Sequence, residues 1–305
     1  MNFSWFYFDL ITKDGQKVII IFYGHPFFLS FDIALCDITI YQNHQKFHLG
    51  VTCPRQNSLF SIDSLTAQIA GSELRKQENS FLINLDDNRI KGHLSLKPVF
   101  NSITLPTISL IKEKQHFFNW RVIAPYLDVE GFIELQNEEI SLKGTGYLDY
   151  NEGNFVLNSK VRSWSWGRFH GKNETVSWGS VLLLNGERKQ PVFICNHQGY
   201  SYFEPSEKIE TDGAISVKNE KFNWEYQITR LSPFDNMHFL ISRFPPRYTL
   251  FRKIHEFIFY RLEESKMINK FNRPLANTEY KRYTAELSSR HSGSMKGMIE
   301  TIDFH

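Results

Sequence analysis

Short apolar runs, broken by polar turns at intervals of about ten residues, constrain this chain more than any other feature. The run Val18-Ile19-Ile20-Ile21-Phe22-Tyr23 follows the turn Lys13-Asp14-Gly15. The run from Ala34 to Tyr41 stops at Gln42-Asn43-His44. Phe81 to Leu85 turns at Asp86-Asp87-Asn88 into Ile90 to Leu96, and Phe132 to Leu135 turns at Gln136-Asn137 into Ile140-Ser141-Leu142. The second half repeats the pattern. Val181 to Leu184 meets Asn185-Gly186, the strongest short hairpin signal, and Pro191 to Cys195 follows. Further strands are predicted over 222–229, 237–244, 280–287 and 295–304. Segments of this length and spacing cannot build a helical bundle; they predict an all-β sandwich or barrel.

One segment departs from the pattern. Leu250, Ile254, Ile258, Tyr260 and Leu262 recur at near-helical spacing, which predicts a single helix near 250–266. Its basic and aromatic content could suit a membrane surface, but a helix packed on a barrel mouth is the favoured reading. The 305 residues are enough for two units, and the strand count predicts two barrels in tandem, 1–165 and 166–305. An aromatic share of 15%, with 27 Phe, suits barrels that enclose apolar space.

Charge and cysteine content narrow the function classes. A formal charge of only +2, with no Lys/Arg stripe, argues against nucleic-acid binding. Cys36, Cys53 and Cys195 are odd in number and widely spaced, so neither a disulfide framework nor a zinc ribbon is expected, and a reduced cytoplasmic setting is. The N-terminus has no basic stretch and carries Asp9 within its apolar segment, so it does not read as a signal peptide. The chain has no phosphate-binding loop, nucleophile elbow or dinucleotide fingerprint. His44 and His48 lack an evident third ligand, and neither a metal nor an organic cofactor is expected.

The chemistry concentrates in residues 144–168. Asp149 stands between Tyr147 and Tyr150, Asn151 and Gly153 follow, and Trp164-Ser165-Trp166-Gly167-Arg168 comes soon after. A carboxyl buried among rings rises in pKa and can donate a proton near neutrality. Electron-rich ring faces stabilise the cation that protonation of an alkene leaves behind. If 144–150 is extended, residues 147 and 149 share one face and Tyr150 takes the other. The same residues also suit a plainer arrangement, with Asp149 opening a turn through Asn151-Glu152-Gly153 or pairing with Arg168. His116, before Phe117-Phe118, fits either a pocket wall or a core position.

Four segments together resemble the carotenoid 1,2-hydratase family and its AttH-like, tandem lipocalin-like relatives. These are the opening Trp5-Phe6-Tyr7-Phe8-Asp9 strand and the Phe22-Tyr23-Gly24-His25-Pro26-Phe27 segment. They are joined by His116, Trp120 and Pro125 at the family's spacing, and by the Gly144, Gly146, Tyr147, Asp149, Asn151, Gly153, Trp164, Trp166, Gly167, Arg168 signature. The closing strand Met298 to Phe304 is also similar. The resemblance implies two lipocalin-like antiparallel β-barrels around an apolar pocket. It implies a cofactor-independent lyase (hydro-lyase) or cyclase of isoprenoid or natural-product metabolism, taking a hydrophobic polyene or terpenoid. Asp149, Tyr147 and Trp120 would be the catalytic residues. Trp164, Trp166, Tyr150, His116, Asn151 and Arg168 would contact substrate. Three positions depart from the pattern: Leu148 and Tyr150 stand where the family has His, and Glu152 where it has Trp. Relatives include tocopherol-cyclase-like and Diels–Alderase-like proteins, so cyclisation, a shape-driven pericyclic reaction and simple binding of an apolar metabolite stand beside hydration.

Overall fold

The computed structural model describes residues 3–26, 32–43, 45–100, 107–203, 214–218, 223–238, 278–289 and 293–304. The helix expected near 250–266 lies outside them, as do residues 239–244 of one expected strand. Two antiparallel sheets account for almost all of the described chain. The first contains β1 (Phe3–Thr12), β2 (Lys17–His25), β3 (Ile33–Gln42), β4 (Gln45–Pro54), β5 (Leu59–Ser61), β6 (Thr66–Ile69), β7 (Ser72–Gln77), β8 (Ser80–Asp87), β9 (Ile90–Pro98), β10 (Thr107–Lys112), β11 (Phe117–Leu135) and β12 (Glu138–Gly153). The second contains β13 (Val161–His170), β14 (Glu174–Leu183), β15 (Arg188–Lys189), β16 (Val192–Asn196), β17 (Gly199–Phe203), β18 (Ala214–Lys218), β19 (Asn223–His238), β20 (Thr278–Ser289) and β21 (Gly293–Phe304). Among the described residues no helix is long and apolar enough to cross a membrane.

Most strands pair with their sequence neighbours, and each sheet is closed by one long-range seam. In the first, β1 lies against β12, with Tyr7 opposite Asp149 and Asp9 opposite Tyr147. In the second, β13 lies against β21, with Trp166 opposite Glu300. Turn chemistry explains the local pairings. Gly15 and Gly186 adopt the left-handed backbone that tight hairpins require, and Gln136 and Asn137 both adopt it between β11 and β12.

The first sheet curls, bringing β6 against β2, β3 and β4. Its concave side encloses one core, with Phe6, Phe8, Leu10, Val18, Ile20, Phe22, Leu148 and Tyr150 among its members. The opposite faces of the same strands form a second core: Trp5, Tyr7, Ile19, Ile21, Tyr23 and Tyr147 pack there against Val181, Leu183, Phe193 and Met298 of the second sheet. Both faces of β1 and β2 are therefore buried, and for that reason Val18 to Tyr23 reads as an unbroken apolar run rather than an alternating one. Phe169, Trp178 and Ile194 form the core on the far side of the second sheet. All of this is the curled, lipocalin-like antiparallel architecture expected.

Two local expectations are corrected. Residues 151–153 do not turn; β12 runs through Gly153, with Asn151 paired to both Trp5 and Trp120. The two strands expected at 222–229 and 237–244 are instead joined by one strand, Asn223–His238, that runs through Pro233. Pro233 lies opposite Tyr283 of β20, next to a register shift between Pro233 and Asp235, an irregularity of the kind at which a strand accepts proline.

Candidate active site

The two seams face each other, and the candidate site lies between them. A cavity of about 80 Å3 is walled by the rings of Trp5, Tyr7, Tyr23, Trp120, Trp164 and Trp166, and by two carboxylates, Asp149 and Glu300. Strand alternation puts the groups there. On β12, Tyr147, Asp149 and Asn151 point to this side, while Leu148 and Tyr150 point into the first core. On β13, Trp164 and Trp166 point across from the second sheet.

Asp149 is buried and receives three donors. Trp120 Nε1 and Tyr147 Oη each donate to Oδ2 at 2.8 Å, and Asn151 Nδ2 donates to Oδ1 at 2.9 Å. Burial pushes its carboxyl up to about 7; the Trp120 and Tyr147 hydrogen bonds hold it down in part, and the charges of Asp9 and Glu300 push it further up. Among the described residues no ion pair to Asp149 is formed, although Arg282 lines the same cavity. An acid half-protonated near neutrality, in a ring-lined cavity, can give a proton to an apolar substrate.

Glu300 was not among the residues the sequence singled out. Tyr7 Oη and Arg282 Nε each donate to Oε1 at 2.8 Å. Trp166 Nε1 donates to Oε2 at 3.0 Å, and Tyr280 Oη also donates to Oε2. Arg282 is itself buried, and Nη1 reaches Tyr41 Oη at 3.1 Å and Asp235 Oδ2 at 3.4 Å. A signal for Glu300 existed: in Met298-Ile299-Glu300-Thr301-Ile302 it is the one acid on an apolar, core-facing repeat.

The remaining expected site residues divide clearly. Asn151, Trp164 and Trp166 line the cavity with Trp120 and Asp149, and Tyr147 backs it, its ring stacked on Trp166 at 5.2 Å. Tyr150 lies on the other side of β12, between Phe6 and Phe60, and its hydroxyl donates to Glu152 at 3.0 Å. His116 stands edge-on to Phe155, outside the cavity wall. Arg168 does not pair with Asp149. It forms a fully buried ion pair with Asp9, because residue 168 lies two positions further along the inward face of β13 than Trp166 and so comes opposite β1. Burial raises the Asp9 carboxyl to about 6 against the lowering pull of Arg168. His48 bonds to Asp37 at 2.5 Å, and His44 lies outside the described residues.

A larger cavity, about 670 Å3, opens at one end of the first sheet. Its acids, Asp63 and Glu78, are exposed to water.

The fold and this site define a tandem lipocalin-like protein with a buried acid between its two sheets. The chain belongs to the carotenoid hydratase CrtC family, whose model matches residues 32–220, more than half of its length. It is 30% identical over 125 residues to the acyclic carotenoid 1,2-hydratase of Rhodobacter capsulatus, a match covering 39% of this chain and 42% of that one. It is 24% identical over 187 residues to the enzyme of the same name from Rubrivivax gelatinosus, covering 55% and 45%. The matches thus span less than half the length of these hydratases. Among solved structures, an AttH protein from Nitrosomonas europaea superposes with a TM-score of 0.60 at 12% identity, over 98% of this chain and 91% of the other. Kievitone hydratase from Nectria haematococca gives 0.56 at 8%, over 99% and 88%. At such identities these two similarities establish the fold alone.

Proposed function

We propose that this chain is a cofactor-independent hydratase or cyclase acting on a hydrophobic polyene or terpenoid, with Asp149 as general acid. The observation that carries the reading is the state of Asp149. It is buried, held by Trp120, Tyr147 and Asn151, has no cationic partner among the described residues and faces an aromatic cavity. The acyclic carotenoid hydratases to which the chain is similar bear names consistent with such a substrate.

Asp149 would give its proton to one carbon of an isolated C=C bond. The O–H bond breaks, a C–H bond forms, and positive charge develops on the neighbouring carbon, facing the rings. In hydration, water attacks that carbon and its surplus proton returns to the Asp149 carboxylate. In cyclisation, a second C=C bond of the same chain attacks, and the proton lost from an adjacent carbon returns to Asp149. Tyr147 and Trp120 fix the carboxyl that performs both transfers. A cavity of about 80 Å3 suits the branched end of such a chain, with the remainder lying outside it.

The test uses lycopene dispersed in detergent, as an acyclic polyene, with the wild-type chain and Asp149→Asn. Turnover should fall by about 10²- to 10⁴-fold in the variant, with lycopene binding retained. Incorporation of ¹⁸O from labelled water marks hydration; an unlabelled product of unchanged mass marks cyclisation. Unchanged turnover in Asp149→Asn would sink the acid role and favour a cavity that works by shape. Tight binding of polyenes with no turnover by the wild-type chain would identify a carrier.

A further inference from the structure

We infer that Glu300 is the fixed anion of this site, the counter-charge to the cation formed when Asp149 releases its proton. The inference rests on Asp149 being the acid and adds a second carboxylate with a separate task.

The argument starts from counting acceptor positions. An ionised carboxylate has about four lone-pair positions. Glu300 fills four: Tyr7 and Arg282 on Oε1, Trp166 and Tyr280 on Oε2. Every partner is a donor, so no position remains for a proton, and the Arg282 guanidinium supplies an opposite charge at 2.8 Å. Asp149 fills three, and its fourth, on Oδ1, is where a transferable proton can sit. Two carboxyls line one cavity, one beside a guanidinium and fully supplied with donors, the other with an acceptor position open and no ion pair among the described residues. That arrangement divides an acid from an anion.

Placement supports the same assignment. Glu300 comes from β21 of the second sheet and Asp149 from β12 of the first, so they occupy facing walls. Rings connect them: the Tyr7 ring meets Trp166 edge-on at 4.9 Å and lies 6.4 Å from that of Tyr147. A cation formed in the cavity would have the Trp166 and Tyr7 rings beside it and the Glu300 charge behind them. Negative charge held against those N–H and O–H groups enriches the electron density of the ring faces presented to the cation. The same charge opposes ionisation of Asp149 and raises its proton affinity. Glu300 is thus a positioning residue whose effect must appear in the proton affinity of another group.

The pH dependence of lycopene turnover separates this from a merely structural role. Activity needs protonated Asp149, so it falls as pH rises through the pKa of that group. In Glu300→Gln the opposing charge is gone, and the alkaline limb should move to lower pH by about one unit, with at least a tenfold loss of rate above it. Glu300 also joins the two sheets, so Leu183→Ala, which loosens the core between the sheets without touching Glu300 or the cavity wall, serves as a folding control. It should keep the limb within a few tenths of a unit. The protonated-carboxyl infrared band assigned by its loss in Asp149→Asn gives a readout without turnover, and its titration should shift downward in Glu300→Gln. An unmoved limb and band in a folded Glu300→Gln would overturn the inference. If Asp149→Asn keeps full activity, the acid assignment itself fails, and that result is read before any effect of Glu300.

Discussion

At the scale of single residues, Asp149 is balanced between opposing influences, and each can be moved separately. The Trp120 N–H stabilises the ionised form, so Trp120→Phe should raise the Asp149 pKa and carry the alkaline limb of the rate profile to higher pH, opposite in sign to Glu300→Gln. Stability reports the same group without substrate. The folded chain holds the Asp149 proton up to about pH 7, while an unfolded chain releases it near about pH 4. The folded state therefore binds more protons in that window. The stability from this group is complete below the unfolded pKa and is lost as pH rises through 7. Melting temperature measured from pH 4 to 8 should fall more steeply in wild-type than in Asp149→Asn; parallel curves would show that Asp149 is ionised throughout. Tyr147 and Asp149 sharing a face follows directly from strand alternation and was legible. The partners of Glu300 were not, since Tyr7 and Trp166 stand 293 and 134 positions away.

At the scale of elements, the glycines of the signature answer to close approach rather than to turns. A Cβ on Gly144 would stand 2.2 Å from the Ile11 carbonyl oxygen, and one on Gly146 2.8 Å from that of Asp9. Both would press β12 away from β1, the seam that presents Asp149. Alanine at either position should cost about 1–3 kcal/mol in urea unfolding, the range for overpacking. Gly179 differs, because its nearest neighbour to a Cβ is the edge of the Trp120 ring at 3.3 Å, with Pro191 at ordinary contact distance, 3.7 Å. Gly179→Ala should cost less stability yet disturb the ring that holds Asp149, lowering turnover more than it lowers the urea midpoint. Equal losses in both would place Trp120 outside the chemistry. Turn-bounded elements such as Val18 to Tyr23 and the Asn185-Gly186 hairpin were legible because their signals are local. The continuous strand through Pro233 was not, because it depends on the pairing of β19 with β20, some fifty positions further along the chain, and on the register shift beside Pro233.

At the scale of the whole molecule, the two sheets are joined by a core whose polar members are paired across it. Beyond the candidate cavity, the Asp9–Arg168 pair is the most deeply buried of these links among the described residues, with side chains 1% and 0% exposed. One reading of the sequence paired Arg168 with Asp149; the partner is instead Asp9, 159 positions away, brought there by the facing seams. Removing one member of a buried pair leaves the other uncompensated, typically at about 3–5 kcal/mol, whereas replacing both by apolar groups is often near neutral. Arg168→Met should therefore destabilise far more than the Asp9→Leu/Arg168→Met double variant. The penalty should also depend on pH. Asp9 already sits near 6 with Arg168 present, and losing that cation raises it further. Below about pH 5 the carboxyl in Arg168→Met is neutral and the cost is small; as pH rises toward 8, ionisation must be suppressed against a growing driving force and the cost increases. Urea unfolding of the three chains at pH 5 and pH 8 measures this directly. If Arg168→Met loses the same stability at both pH values, Asp9 is not the group left unpaired, and the link between the sheets is carried by packing rather than by charge.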